Sequence, residues 1–110
     1  MIWRTRTESN CAEFRPPAGQ ILGVSYEQQD YPTELAFFFI AQESVPMWHA
    51  ASANGQPSSI EEVKQMLQGI HDVFHLPCWT TFGGQLVIWP PALNDGDLLV
   101  VEIADAVNNN

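Results

Sequence analysis

One segment of the chain has the periodicity of an amphipathic helix. After residue 59, apolar side chains recur at intervals of three and four residues, which places them on one side of a helix. These side chains are Ile60, Val63, Leu67, Ile70 and Phe74, with Met66 and Val73 at the margin. Ser59 and Glu62 have the spacing of a capping box, and Pro77 prevents the helix from continuing. The sequence therefore predicts one helix, over about 59–75.

The other patterned segments are short, apolar and bounded by turn residues, which is typical of β-strands. We expect strands at 2–8, 20–27, 34–42, 79–82, 85–89 and 98–103. The segment 34–42 contains three consecutive phenylalanines, with Phe37 near its middle, and this run predicts a central strand that is buried on both faces. Gly83 and Gly84 separate two of the segments and predict a hairpin.

A single helix that is preceded and followed by strands along the chain is typical of the α+β class. We expect an antiparallel β-sheet of about five to six strands, with the one amphipathic helix packed on one face. A length of 110 residues and a hydrophobic fraction of 45% predict a single globular domain over 1–110. Residues 44–58 show no periodicity and predict a loop, and the asparagines at 108–110 predict a frayed tail.

Several features of the sequence favour a cytoplasmic protein. The polar residues 7–10 stand where a secretory signal would need an apolar stretch, and no apolar run approaches the ~20 residues that span a bilayer. The two cysteines, Cys11 and Cys78, are too few for a disulfide framework. We expect two thiols in a reducing compartment, with a single Cys11–Cys78 bridge as the alternative.

The charge of the chain is strongly one-sided. It has 13 acidic residues against four basic ones, for a net charge of -9. Three arginines and two acids give residues 1–15 a charge of +1, whereas residues 16–110 carry Lys64 against eleven acids, or -10. This balance argues against direct binding to nucleic acid or to an anionic membrane, both of which require basic clusters. It favours a protein partner with a basic surface.

Two groups of residues are candidates for contacting that partner. The first group consists of acidic residues beside predicted turns, and the second lies in the long predicted loop, where a tryptophan next to methionine and histidine could anchor an interface. The candidate partner-binding residues are Glu27, Asp30, Glu34, Met47, Trp48, His49, Asp95 and Asp97.

A different interpretation comes from His71, His75 and Cys78. Histidines four residues apart share a helix face, and a cysteine after the helix could complete a zinc site or act as a Cys/His nucleophile. A fourth ligand is not evident, and Lys64 on the same side of the helix opposes a dication. We therefore expect no metal, no cofactor and no catalytic residues.

The sequence thus favours a small acidic protein-binding inhibitor that is not an enzyme. In size and charge it resembles the small acidic inhibitors of phages and mobile elements, such as anti-CRISPR proteins, and the immunity proteins of nuclease toxins. This resemblance rests on no sequence motif. The expected partner is a protein with a basic, nucleic-acid-binding surface. The alternative is a small metal-binding or Cys/His enzyme domain that uses His71, His75 and Cys78. Pattern and charge leave the oligomeric state open.

Overall fold

Seven strands and one helix make up the part of the chain that the computed structural model describes, namely residues 2–6, 11–30, 34–41 and 57–104. In chain order the elements are β1 (Ile2–Arg6), β2 (Gln20–Glu27), β3 (Glu34–Ala36), β4 (Phe38–Phe39), α1 (Ile60–Phe74), β5 (Cys78–Phe82), β6 (Gln85–Trp89) and β7 (Leu98–Ala104). The strand bounds at 20–27 and 85–89 match those expected from the sequence. The tail at 108–110 and most of the predicted loop 44–58 lie outside the described residues.

The strands form two sheets, so the expectation of a single sheet was wrong. The first sheet has the order β1-β7-β2-β3, and all of its neighbouring strands are antiparallel. The second sheet has the order β4-β5-β6. In it β5 and β6 form the expected antiparallel hairpin, with positive φ at both turn glycines, whereas β4 runs parallel to β5. The α+β class is confirmed, and the described residues contain the one expected helix.

The phenylalanine run crosses between the two sheets instead of forming one central strand. The Phe37 N–H donates to the Val24 carbonyl in the first sheet, whereas the Phe38 N–H donates to the Pro77 carbonyl beside the second. β3 and β4 consequently lie at the edges of their sheets among the described strands. Phe37 is buried and Phe38 partly buried in different clusters, and the Phe39 side chain is 51% exposed. The crossing therefore places Phe37 in one core cluster and Phe38 against the other.

The helix and the two sheets form three layers. Along β5 and β6, alternate side chains face opposite ways because successive residues of a strand point to opposite faces. Trp79, Leu86 and Ile88 pack against the first sheet. Cys78 and Val87 pack against α1, which lies on the second sheet through Val63, Met66, Leu67 and Ile70. The helix therefore covers one face of the second sheet, and the main core lies between the sheets.

Both ends of the helix have capping interactions. The Ser59 hydroxyl accepts a hydrogen bond from the Glu62 N–H at 3.2 Å, as the capping box predicts. The Glu62 carboxylate reaches one residue further back and accepts from the Ser58 N–H at 2.8 Å. At the other end His75 adopts a left-handed conformation with φ of 60°. Val73 and Phe74, which were expected on the buried side, are exposed because the last turn extends beyond the packed stripe.

No helix within the described ranges is long and apolar enough to cross a membrane.

Candidate functional site

Acidic residues from two distant parts of the chain meet at one end of the first sheet. In the pairing of β2 with β7, Glu27 lies opposite Leu98, so the segment after β2 and the segment before β7 leave the sheet at the same end. We call these two segments, residues 27–30 and 94–97, the acidic loop end. Their side chains line a shallow depression of about 180 Å³.

Asp97 holds the two segments of the acidic loop end together. The residue is buried, with only 4% of its surface exposed. One carboxylate oxygen accepts a hydrogen bond from the Gln29 N–H at 3.0 Å, and the other accepts from the Asn94 N–H at 3.2 Å. Gly96, the residue before Asp97, has a φ of 91°, and a Cβ at this position would collide with the Gln29 side chain. Asp97 was expected to contact a partner, but in the structure it is buried and its carboxylate is occupied by two backbone hydrogen bonds within the protein.

The remaining acidic candidates differ in their surroundings. Asp30 and Asp95 are exposed at the rim of the depression, with no ion pair among the described residues. Glu27 is partly buried and pairs with Arg4 at 3.4 Å. Glu34 lies opposite Glu27 in the strand register, and its side chain is outside the described part of the structure. Asp30 and Asp95 are therefore the two acids best placed to meet another molecule.

Two of the three described cationic side chains form ion pairs within the protein. Arg4 bonds to Glu27, and the Lys64 ammonium group lies 3.1 Å from the Glu13 carboxylate. The Arg15 guanidinium donates to the Gly83 carbonyl at 3.3 Å. Exposed ion pairs contribute little to stability, but they neutralise the few cations that could offset the exposed acids. The surface therefore keeps the acidic character that the composition predicts.

Met47, Trp48 and His49 lie outside the described residues. Their assignment as partner contacts stays a prediction.

The structure separates the three residues of the alternative site. The Cys78 thiol is buried beneath α1, where it donates to the Leu67 carbonyl at 3.7 Å. Burial raises the pKa of this thiol to about 11, so it stays protonated at neutral pH. The His71 Nδ1–H donates to the Leu76 carbonyl at 2.9 Å, and His75 caps the helix. Within the described ranges, no three His, Cys, Asp or Glu residues are grouped so that they could hold a metal.

Both cysteines are thiols, as expected from the sequence, and both are buried. Cys11 belongs to the core between the sheets, whereas Cys78 belongs to the core under the helix. Neither thiol therefore has the exposed, activated environment that a nucleophile needs.

Sequence reasoning missed an apolar groove at the other end of β2. The groove has a volume of about 640 Å³ and lies between the two sheets. Its floor includes Phe39 and Trp79, whose ring centroids are 4.7 Å apart. We call this cavity the apolar groove. The residues that line it are Pro16, Pro17, Ala18, Gly19, Gln20, Ile21, Leu22, Phe39, Trp79, Thr81 and Gly84. No local sequence signal indicates this groove, because its lining comes from several separate segments.

The described part of the chain therefore presents two surfaces with different chemistry. The acidic loop end is charged and follows the C-terminal end of β2. The apolar groove has no charged lining residue and borders the N-terminal end of the same strand.

Comparisons with known proteins found no matching family model, no matching curated protein and no matching solved structure.

Proposed function

We propose that this protein is a cytoplasmic, non-enzymatic inhibitor that binds a basic protein surface through its acidic loop end. The observation that supports the proposal is the Asp97 carboxylate, which joins residues 27–30 to residues 94–97. This junction places Asp30 and Asp95 at the same depression, although they are far apart in the sequence. The two aspartates are the direct contacts, and Asp97 positions them.

A fixed acidic surface favours binding in two ways. Because hydrogen bonds hold the two segments together before any partner arrives, less conformational entropy is lost on association. The net charge of -9 also attracts a basic partner over several ångströms and speeds the encounter. Arg4 lowers the contribution of Glu27, because the ion pair would have to open before Glu27 could bind a partner cation.

Inhibition follows from the kind of surface that the acidic loop end complements. Clustered lysines and arginines on a protein most often contact phosphates of nucleic acid. An acidic protein that occupies such a cluster competes with the nucleic acid for the same cations. This is the mode of action expected for an inhibitor of the anti-CRISPR type or for an immunity protein, and Met47, Trp48 and His49 would add an apolar anchor to it.

The proposal can be tested with two variants of equal charge. The first, Asp30→Asn with Asp95→Asn, removes the two exposed acids of the acidic loop end. The control, Glu61→Gln with Asp72→Asn, removes two exposed acids from α1. Each pair of substitutions removes two negative charges and so changes the net charge from -9 to -7. Thermal melting first establishes that both variants remain folded.

The parent and both variants are then immobilised and used to capture proteins from cells that naturally carry the gene. We expect the parent and the helix variant to retain the same basic, nucleic-acid-binding protein, and the Asp30/Asp95 variant to lose it. Equal loss from both variants would show that only the overall charge matters. Equal retention by both would contradict docking through the acidic loop end.

A further inference from the structure

Half of β2 has an edge that no described strand covers. β7 pairs with β2 over Gln20–Glu27, with a bulge between Ile21 and Gly23, but on the opposite side β3 pairs only with Ser25–Glu27. The last hydrogen bond on that side runs from the Phe37 N–H to the Val24 carbonyl. The chain then leaves for the second sheet, so residues 20–23 border the apolar groove. Unpaired backbone groups at a sheet edge are a template for a further strand.

The opposite wall of the groove suits apolar side chains. Phe39 is 51% exposed and lies against Trp79, while Leu22 is 57% exposed beside them. The four residues 20–23 span at most about 13 Å at ~3.3 Å per residue, and the bulge at Leu22 bends the strand within that length. A gap of about 640 Å³ lies within the range of volumes that are typical of ligand sites.

We propose that the apolar groove binds an extended peptide segment of another protein, which pairs with residues 20–23 of β2 as an added strand. The segment continues the line that β3 leaves at Phe37, and so it runs antiparallel to β2. One of its apolar side chains packs against Leu22 and Phe39. This binding site is separate from the acidic loop end, and the inference does not depend on the proposed function.

Charge restricts what the peptide can be. The groove lining contains no charged side chain, so the central residues of the peptide are uncharged. Arg15 stands at the Gly84 end, where its Nη1 is 3.5 Å from the position that a Cβ on Gly84 would take. An antiparallel peptide brings its C-terminal residues towards Gln20 and this arginine. We therefore expect an acidic side chain near that end of the segment.

The same observations disfavour other occupants. Two copies of this chain carry -9 each and repel one another, which opposes self-association through the groove. A small apolar molecule could fill the aromatic part of the groove, but it would leave the backbone groups of residues 20–23 to hydrogen-bond with water alone. An extended peptide satisfies both the backbone edge and the apolar wall, which is the recognition mode called β-augmentation.

The test begins with a phage-displayed library of random heptapeptides selected on the intact protein. The most enriched sequence is synthesised with a fluorescent label, and its Kd is measured by anisotropy. The groove variant is Leu22→Lys, and the matched control is Leu76→Lys, because Leu76 is 53% exposed at the far end of α1. Phe39→Ala is the second groove variant, and Arg15→Ala tests the acidic end. A peptide with alternate amides N-methylated tests the strand pairing.

We expect enriched peptides with alternating apolar residues and an acid towards the C-terminal end. Binding should weaken about tenfold or more in Leu22→Lys, because a charge then faces the apolar contact, and should be unchanged in Leu76→Lys. Phe39→Ala, Arg15→Ala and N-methylation should each weaken it. Absence of such enrichment, equal affinity for the Leu22→Lys variant, or indifference to N-methylation would overturn the proposal. Sedimentation showing a parent dimer that Leu22→Lys dissociates would assign the groove to a second copy instead.

Discussion

Replacement of Asp97 should destabilise the protein far more than replacement of its neighbour Asp95. In the parent, the buried Asp97 carboxylate accepts two backbone hydrogen bonds, at 3.0 and 3.2 Å. Hydrogen bonds to a charged acceptor contribute about 1.5–3 kcal/mol each, which gives an upper limit of about 3–6 kcal/mol. Gln29 and Asn94 are exposed residues, so their N–H groups regain water when the carboxylate is lost. We therefore expect Asp97→Ala to cost about 2–3 kcal/mol.

A graded series of variants makes this prediction sharper. Asp97→Asn keeps one oxygen acceptor but places an NH2 group opposite the second backbone N–H, so we expect a loss of about 1–2 kcal/mol. Asp95→Ala removes the same charge from an exposed position and should change stability by less than about 0.5 kcal/mol. For a chain of this size, about 2–3 kcal/mol corresponds to a fall in Tm of roughly 8–12 °C.

Urea denaturation of the parent, Asp97→Ala, Asp97→Asn and Asp95→Ala measures these differences directly. Amide hydrogen exchange should in addition show faster exchange at Gln29 in Asp97→Ala, because its hydrogen-bond acceptor is gone. If Asp97→Ala and Asp95→Ala unfold at the same urea concentration, the carboxylate does not hold the two segments together. The positioning role given to Asp97 would then be refuted.

The remaining predictions concern the helix and the two cores. Leu67→Ala truncates a fully buried side chain and should cost about 2–5 kcal/mol. On the same helix Gly69→Ala adds a methyl group into open space and should stabilise by about 0.5–1 kcal/mol, and matching unfolding midpoints for these two variants would contradict the helix packing. Phe37→Ala removes a buried ring at the crossing between the sheets and should cost about 3–5 kcal/mol in denaturant unfolding; a midpoint like that of the parent would contradict its burial. Burial raises the pKa of Cys78 from its ordinary 9.0 to about 11, so the unfolded state loses this proton first as pH rises. Stability should therefore fall by about 2–3 kcal/mol between about pH 9 and 11, and Cys78→Ala should abolish that part of the decline.

Local sequence signals predicted the elements well wherever a turn residue or a cap marks the boundary. The helix at Ile60–Phe74 follows from the Ser59 cap and the apolar period, and the hairpin follows from Gly83-Gly84. The phenylalanine run was misinterpreted, because three consecutive apolar residues have the same pattern in a central strand and in a segment that crosses between two layers. Only the hydrogen bonds of Phe37 and Phe38 distinguish these cases, and they involve residues far away in the sequence.

The candidate site was less predictable than the fold, because it too depends on contacts between residues that are far apart in the sequence. Asp30 and Asp95 each lie in a recognisable turn, but their proximity depends on β2 and β7 being neighbours in the sheet. From the sequence, Asp97 was predicted to contact a partner like the exposed acids, because its burial arises only when the two loops come together. The apolar groove combines side chains from several separate segments, and no pattern within one segment could indicate it.

The most direct test of docking through the acidic loop end is the salt dependence of affinity for the captured partner. Calorimetric titrations at rising NaCl would compare the parent with the Asp30→Asn/Asp95→Asn and Glu61→Gln/Asp72→Asn variants, which carry equal charge. Because the Debye length falls from about 10 Å at 0.1 M to about 3 Å at 1 M salt, we expect parent binding to weaken steeply. The helix variant should follow the parent, and the Asp30/Asp95 variant should bind more weakly and respond less to salt. A Kd that is independent of salt, or identical for the two variants, would contradict the proposed docking.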